Sequence, residues 1–135
     1  MNNRTWGIAG GFLGAVLAAR AFAAQATVTV TAPPASVGKP AAIDIRFRVA
    51  EGSHIDPEAP LSIRLTGPAS VRFDKAELHY ADAVPPPGPA PRFVVHATAG
   101  EAGEQEIRVA MRWYVCAASL CTPRHETETV RLRVR

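Results

Sequence analysis

The only two cysteines of the chain, Cys116 and Cys121, stand in the stretch Trp113–Pro123, WYVCAASLCTP. Three chemistries are open to such a pair: a structural disulfide, a soft metal site, or dithiol/disulfide exchange. The insert AASL lets the two Cα atoms come to about 5.5 Å, as a disulfide requires. As a clamp the bridge is weak. Closing a ring of about six residues removes denatured-state entropy worth roughly 2 kcal/mol. Exchange asks for something else: a partner thiolate must reach one sulfur, and the leaving thiolate must be stabilised. Arg112 shares a strand face with Cys116, and Arg124 and His125 follow Cys121. Each can favour a thiolate, and each fits equally well as solvated surface. Ala117, Ala118 and Ser119 leave the approach uncrowded. As metal ligands, Cys116, Cys121 and His125, with His96 or Met111 recruited, form a set that suits copper(I). There is no C-x-x-C, and Met111 is expected on a core face, so no metal and no cofactor is expected.

A second polar group lies in EGSHIDPEAP, where His54 and Asp56 precede Pro57. They read as an ordinary turn or as the lining of a site beside the sulfurs, where His54 would titrate near working pH.

The elements that must position these residues are strands. In AAIDIRFRV, Ile43, Ile45, Phe47 and Val49 alternate with Asp44, Arg46 and Arg48; in LSIRLT, Leu61, Ile63 and Leu65 alternate with polar residues. QEIRVAMRWYVC sets Ile107, Val109, Met111, Trp113 and Val115 on one face, with Arg112, Tyr114 and Cys116 on the other. TVTVT, SVRF, RFVVHAT and TVRLRVR bring the total to about seven strands. A two-residue period of this kind marks half-buried strands, and no segment after Ala26 has a helical period. APPASVGKP, EGSHIDPEAP, ADAVPPPGPAP and AGEAGE carry turn chemistry, and prolines at 81–91 deny donors to any ladder. The expected fold is an all-β, immunoglobulin-like antiparallel sandwich. Its cysteines are near neighbours, so they cannot be the inter-sheet bridge of antibody domains. The proline-rich stretch is a stiff surface loop or a recognition flap.

The first residues, MNNRTWGIAGGFLGAVLAARAFAAQA, have the layout of a secretory signal peptide: a short start with Arg4, an apolar run from Trp6 to Ala19, and an A-x-A pattern at Ala24–Ala26. Ala21-Phe22-Ala23 offers a second cut. Arg20 interrupts the run before it reaches the roughly 20 residues of a spanning helix. The expected division is a signal peptide at 1–26 and one domain at 27–135, with no stable membrane insertion after cleavage. The 15 basic and 12 acidic residues of the chain become 13 and 12 without Arg4 and Arg20. Neither this balance nor any basic cluster suggests nucleic acid. Export to an oxidising compartment and a cysteine pair support each other.

The stretch RVAMRWYVCAASLCTPRHETETVRLRV resembles the N-terminal periplasmic domain of the thiol:disulfide interchange protein DsbD, the disulfide-bond corrector family. The shared pattern is a strand ending in an aromatic, a cysteine, a short loop, a second cysteine, a proline within two residues and a final strand. Here these are Tyr114, Cys116, Cys121, Pro123 and the strand through Val130–Val134. FRVAEGSHIDPEAPLSIRL also looks like the family's segment, and the resemblance spans about Val37–Arg135. It implies an immunoglobulin-like domain that takes electrons from a thioredoxin-like reductant and gives them to oxidised periplasmic proteins. Cys121 would be the attacking thiol and Cys116 the resolving one. Site groups would come from Gly52–Asp56, where His54 and Asp56 stand in place of the family's usual tyrosines. A shielding cap would fall near Phe73–Phe93, with Tyr80 as a candidate or ADAVPPPGPAP as its replacement. The 135 residues hold neither the membrane electron carrier nor the thioredoxin-like domain of the complete family protein, so a separate reductant is expected. The function expected is thus a periplasmic thiol:disulfide oxidoreductase component working through Cys116 and Cys121, with His54, Asp56, Tyr114, Arg112 and His125 lining the site. The alternative is a non-redox immunoglobulin-like interaction module whose bridge is structural.

Overall fold

Alternation along the chain becomes two packed sheets. The computed structural model describes residues 26–135, and nine strands lie among them. The first sheet has the order β1 (Ala26–Thr31), β2 (Pro40–Val49), β7 (Arg92–Ala99), β5 (Val71–Phe73). The second is built on β8 (Gly103–Ala117). Along one side of it runs β9 (Leu120–Val134); on the other side lie β3 (Ser53–Ile55) and β4 (Ser62–Thr66), with β6 (Glu77–Leu78) beyond β4. All named pairings are antiparallel. This is the expected β-sandwich.

The core is where the two inner faces meet. Ile43, Ile45 and Phe47 of β2 and Phe93, Val95 and Ala97 of β7 face Ile107, Val109, Met111, Trp113 and Val115 of β8, all buried. Phe47 sits between two rings: Trp113 at 5.2 Å and Phe93 at 6.0 Å, both edge-to-face. That geometry suits the ring quadrupoles and adds to the area each ring buries.

All seven strands read from the pattern are present. Two more, β3 and β6, have only three and two residues, too few for a period to show. The last strand is the larger departure, since it begins at Leu120 rather than near Thr129. Its first half, LCTPRHETE, has no apolar alternation because it is the outer edge of the sheet, where an open groove separates it from β1 and no close packing demands apolar side chains. Pro123 is tolerated there for a specific reason. Ala35 N–H donates to the Arg133 carbonyl from outside the sheet, so the odd-numbered residues of β9 aim their backbone groups outward. Register with β8 is unbroken from Gly103–Val134 to Ala117–Leu120, so the same holds at Pro123. Its missing N–H costs the ladder nothing.

On the outer face of the first sheet, Arg92 grips Asp44 with Nε at 3.0 Å and 3.1 Å and Nη2 at 2.7 Å. The Arg92 guanidinium holds the Asp44 carboxyl below its ordinary value of 3.8, with Arg46 helping. A lowered folded-state pKa contributes stability that is present above the unfolded value and lost as pH falls through the folded one. Wild type is therefore expected to exceed Asp44→Asn in urea midpoint at pH 6, and the gap should close as pH drops below about 4. A gap independent of pH would remove the charge from the explanation.

The expected signal peptide lies outside the described residues except for Ala26, which is buried as the first residue of β1. A cut after Ala23 keeps that residue in its strand.

Candidate functional site

β8 and β9 form a hairpin closed by Ala118 and Ser119 alone. Ala118 has φ 53°, the left-handed value that a two-residue hairpin turn needs at its first position and that glycine usually supplies. Just below the turn, Cys116 and Cys121 are directly opposite one another and joined by a disulfide. Their Cα atoms are 4.0 Å apart, closer than the spacing expected across a loop neck. The outward-facing backbone of Cys121 makes this a non-hydrogen-bonded pair, the narrow kind in an antiparallel ladder.

The two sulfurs differ in environment. Cys121 is exposed, whereas Cys116 is 2% exposed although it shares the polar face with Tyr114 and Arg112. Of the two cysteines, Cys121 alone is open to a partner. Cys116 is covered because β3 pairs with the tip of β8: His54 lies opposite Cys116, and Ile55 opposite Val115. Ser53 and Ile55 face the core, which turns His54 and Asp56 to the sulfur side. Asp56 Oδ2 is 3.9 Å from Cys116 Sγ. Its other carboxylate oxygen accepts from Glu58 N–H at 2.9 Å, and its own N–H donates to the Tyr114 carbonyl at 3.3 Å. The side chain is thereby fixed against the bridge. While bonded, the sulfur has no proton to give; once reduced, the Cys116 thiol can donate to this carboxylate.

The proline-rich loop packs on the other side of β3, where Ile55 N–H donates to the Pro89 carbonyl at 2.9 Å. Tyr80 opens a short 3₁₀ turn, Tyr80–Asp82, that Asp82 ties to His79 N–H at 2.8 Å. Burial, and then the charge of Asp56, raise the Tyr80 hydroxyl above its ordinary pKa of 10.0. Tyr80 thus lies within electrical reach of the site, and ADAVPPPGPAP flanks it.

Other expected residues are elsewhere. Arg112 pairs with His125, four residues down the ladder from the bridge, about 13 Å at strand rise. Neither stands beside a sulfur. Tyr114, opposite Pro123, is the nearer neighbour. Arg124 is paired with Trp113 and so belongs to the inner face, away from the sulfurs. Met111 is buried in the core and His96 bonds Asp74 in the other sheet, so neither can join a copper set. The group of possible metal ligands among the described residues is Asp56, Cys116 and Cys121, with ligand atoms within 4.8 Å of one another. Sequence reasoning named all three of these residues but could not see that β3 lays Asp56 on Cys116.

A negative charge 3.9 Å from a sulfur disfavours its thiolate. In a Cys121→Ser background, Asp56→Asn is expected to speed alkylation of Cys116 by about tenfold, the effect of one pKa unit of electrostatic relief. Iodoacetamide labelling followed by mass spectrometry measures it. An unchanged rate would mean that the carboxylate does not act on the sulfur.

No protein-family model and no curated protein sequence matches the chain. Among solved structures, it is similar to AggA, the major subunit of aggregative adherence fimbriae type I from Escherichia coli, at 12% identity and a TM-score of 0.43, over 82% of this chain and 95% of that one. Likeness at that level carries no argument about chemistry.

Proposed function

We propose that the protein is a thiol–disulfide exchange domain of the periplasm, passing reducing equivalents through Cys116 and Cys121 to oxidised partner proteins. The observation that carries this reading is the asymmetry of the bridge: one exposed cysteine joined to one buried cysteine beside a carboxylate. In the reductive half, a partner thiolate attacks Cys121 Sγ. The Cys116–Cys121 bond breaks, Cys116 leaves as a thiolate and takes a proton, and a mixed disulfide remains on Cys121. The partner's second thiolate then displaces Cys121. The partner ends as a disulfide, and this chain as a dithiol holding two electrons and two protons. In the oxidative half, the Cys121 thiolate attacks a substrate disulfide and Cys116 resolves the mixed disulfide, restoring the bridge and reducing the substrate. The likeness of the cysteine stretch to the disulfide-bond corrector family supports the same assignment, with a thioredoxin-like or membrane electron-carrier reductant.

A second reading rests on the ladder. The bridge joins strands that are already paired through its neighbours, as a structural clamp in a non-redox interaction module would. Equilibration with glutathione buffers separates the two. Exchange calls for a reduction potential above about −300 mV, within reach of thiol pools; a value well below it belongs to a structural disulfide and would overturn the proposal.

A further inference from the structure

β9 carries Cys121 and is also the open edge of its sheet. Because its odd-numbered residues aim their backbone outward, the N–H groups of Cys121, His125, Thr127 and Thr129 and their carbonyls line that edge. Among the described residues, the outer backbone bonds to β9 occur only at its end, where Ala35 bonds Arg133 and Arg135. Such a row of unpaired groups is a template for an added strand. The edge strand of the other sheet, β1, faces it across an open groove of about 660 Å³, lined by Ala26, Thr27 and Val28 on one side and Pro123–Glu126 on the other, with Trp113. The indole N–H of Trp113 is the one buried side-chain polar group without a hydrogen-bond partner among the described residues, and an acceptor entering the groove would relieve it.

Charge says what should enter. Glu126 lines the groove and Glu128 follows it on the same inner face of β9, and neither forms an ion pair among the described residues. Burial, and then the neighbouring Glu128, push the Glu126 carboxyl above its ordinary value of 4.5, with Arg124 offsetting only part. One arginine thus stands against two carboxylates, which leaves the pair short of a cation.

We propose that β9 captures oxidised partner proteins by strand addition: an extended segment pairs with the edge, its cysteine opposite Cys121 and Lys or Arg opposite Glu126 and Glu128. Residues directly opposite in a sheet share a face, so the substrate cysteine lies against Cys121 Sγ on the outer face. The basic residues, five and seven positions from that cysteine, enter the groove. Specificity is then a spacing, Cys to Lys/Arg at five and seven, read by a backbone template. The mechanism rests on the exchange reading, because it places a reactive disulfide against the Cys121 thiolate.

The test has two arms. In the first, the reduced protein is mixed with a twelve-residue peptide whose cysteine carries thionitrobenzoate, with either Lys or Glu at positions five and seven, and with oxidised glutathione as a small reference. The Lys peptide is expected to react about tenfold faster than the Glu peptide, and Glu126→Lys with Glu128→Lys should invert the preference. Equal rates for the two peptides would overturn the proposal. In the second arm, the unreactive Ser version of the Lys peptide is added to the Cys121→Ser protein, and amide hydrogen exchange is followed. Protection is expected at His125, Thr127 and Thr129. Its absence would overturn strand addition even if the reduced protein consumed every disulfide offered. Protection without any exchange chemistry would sink the redox reading and leave capture standing. Protection that rises with protein concentration and needs no peptide would assign the edge to a second copy of this chain instead.

Discussion

Replacing Cys121 by serine is expected to abolish exchange with protein disulfides, whereas replacing Cys116 is expected to arrest it half-way. The difference follows from where each sulfur sits. Cys121 is exposed at the hairpin tip, so its thiolate can align with a substrate S–S bond. Cys116 is 2% exposed and within 3.9 Å of the Asp56 carboxylate, which both blocks approach and disfavours the thiolate. Cys121→Ser should therefore react about a hundredfold more slowly or worse. Cys116→Ser should react through Cys121 and then stall, because nothing remains to resolve the mixed disulfide. Non-reducing electrophoresis and mass spectrometry of the adducts, with release by added dithiol, measure both. Equal trapping by the two variants would contradict the assigned roles. Stability does not confound the comparison, since each variant loses the same short-ring bridge, worth roughly 2 kcal/mol.

Trp113→Ala is expected to be the most damaging single change to the fold, costing about 3–5 kcal/mol. The ring is 2% exposed, packs edge-on against Phe47 at 5.2 Å, and stands on the inner face of β8, the strand to which β9, β4 and β3 are all bonded. Removing it leaves a cavity in the core beneath the β1–β9 groove. Trp113→Phe tests the cause. It keeps most of the aromatic volume and deletes an N–H that has no partner to lose, so its cost should stay under about 1.5 kcal/mol. Urea unfolding of both variants decides. Similar losses in the two would mean that the core depends on the full indole outline, which phenylalanine does not fill.

The sandwich was legible in the sequence because burial on one face forces a two-residue period, and Ile43, Ile45, Phe47 and Ile107 to Val115 display it without interruption. The same logic hid the start of β9. Thr122, Arg124, Glu126 and Glu128 occupy inward positions along an edge that β1 faces only across an open groove, so no apolar residues mark them. Cys116, Cys121, His54 and Asp56 could be named from residue type. Their arrangement could not, because it depends on β3, three residues whose pairing with the tip of β8 is a tertiary event. Arg112 and His125 failed as sulfur neighbours for a related reason: sharing a face with Cys116 says nothing about distance along it. Here that distance is four residues of extended chain.

The ladder between β8 and β9 runs without a bulge from one end of the hairpin to the other, and the sulfurs are one rung of it. Only Ala117, Ala118, Ser119 and Leu120 lie beyond that rung, and Ala117 and Leu120 stay paired when it is cut. The molecule accordingly keeps one outline in both electronic states, and far-ultraviolet circular dichroism should scarcely distinguish them. On the proposed exchange reading, the electrons are held in a single bond rather than in a change of shape, and a partner that tells the reduced form from the oxidised one does so by touching the sulfur itself.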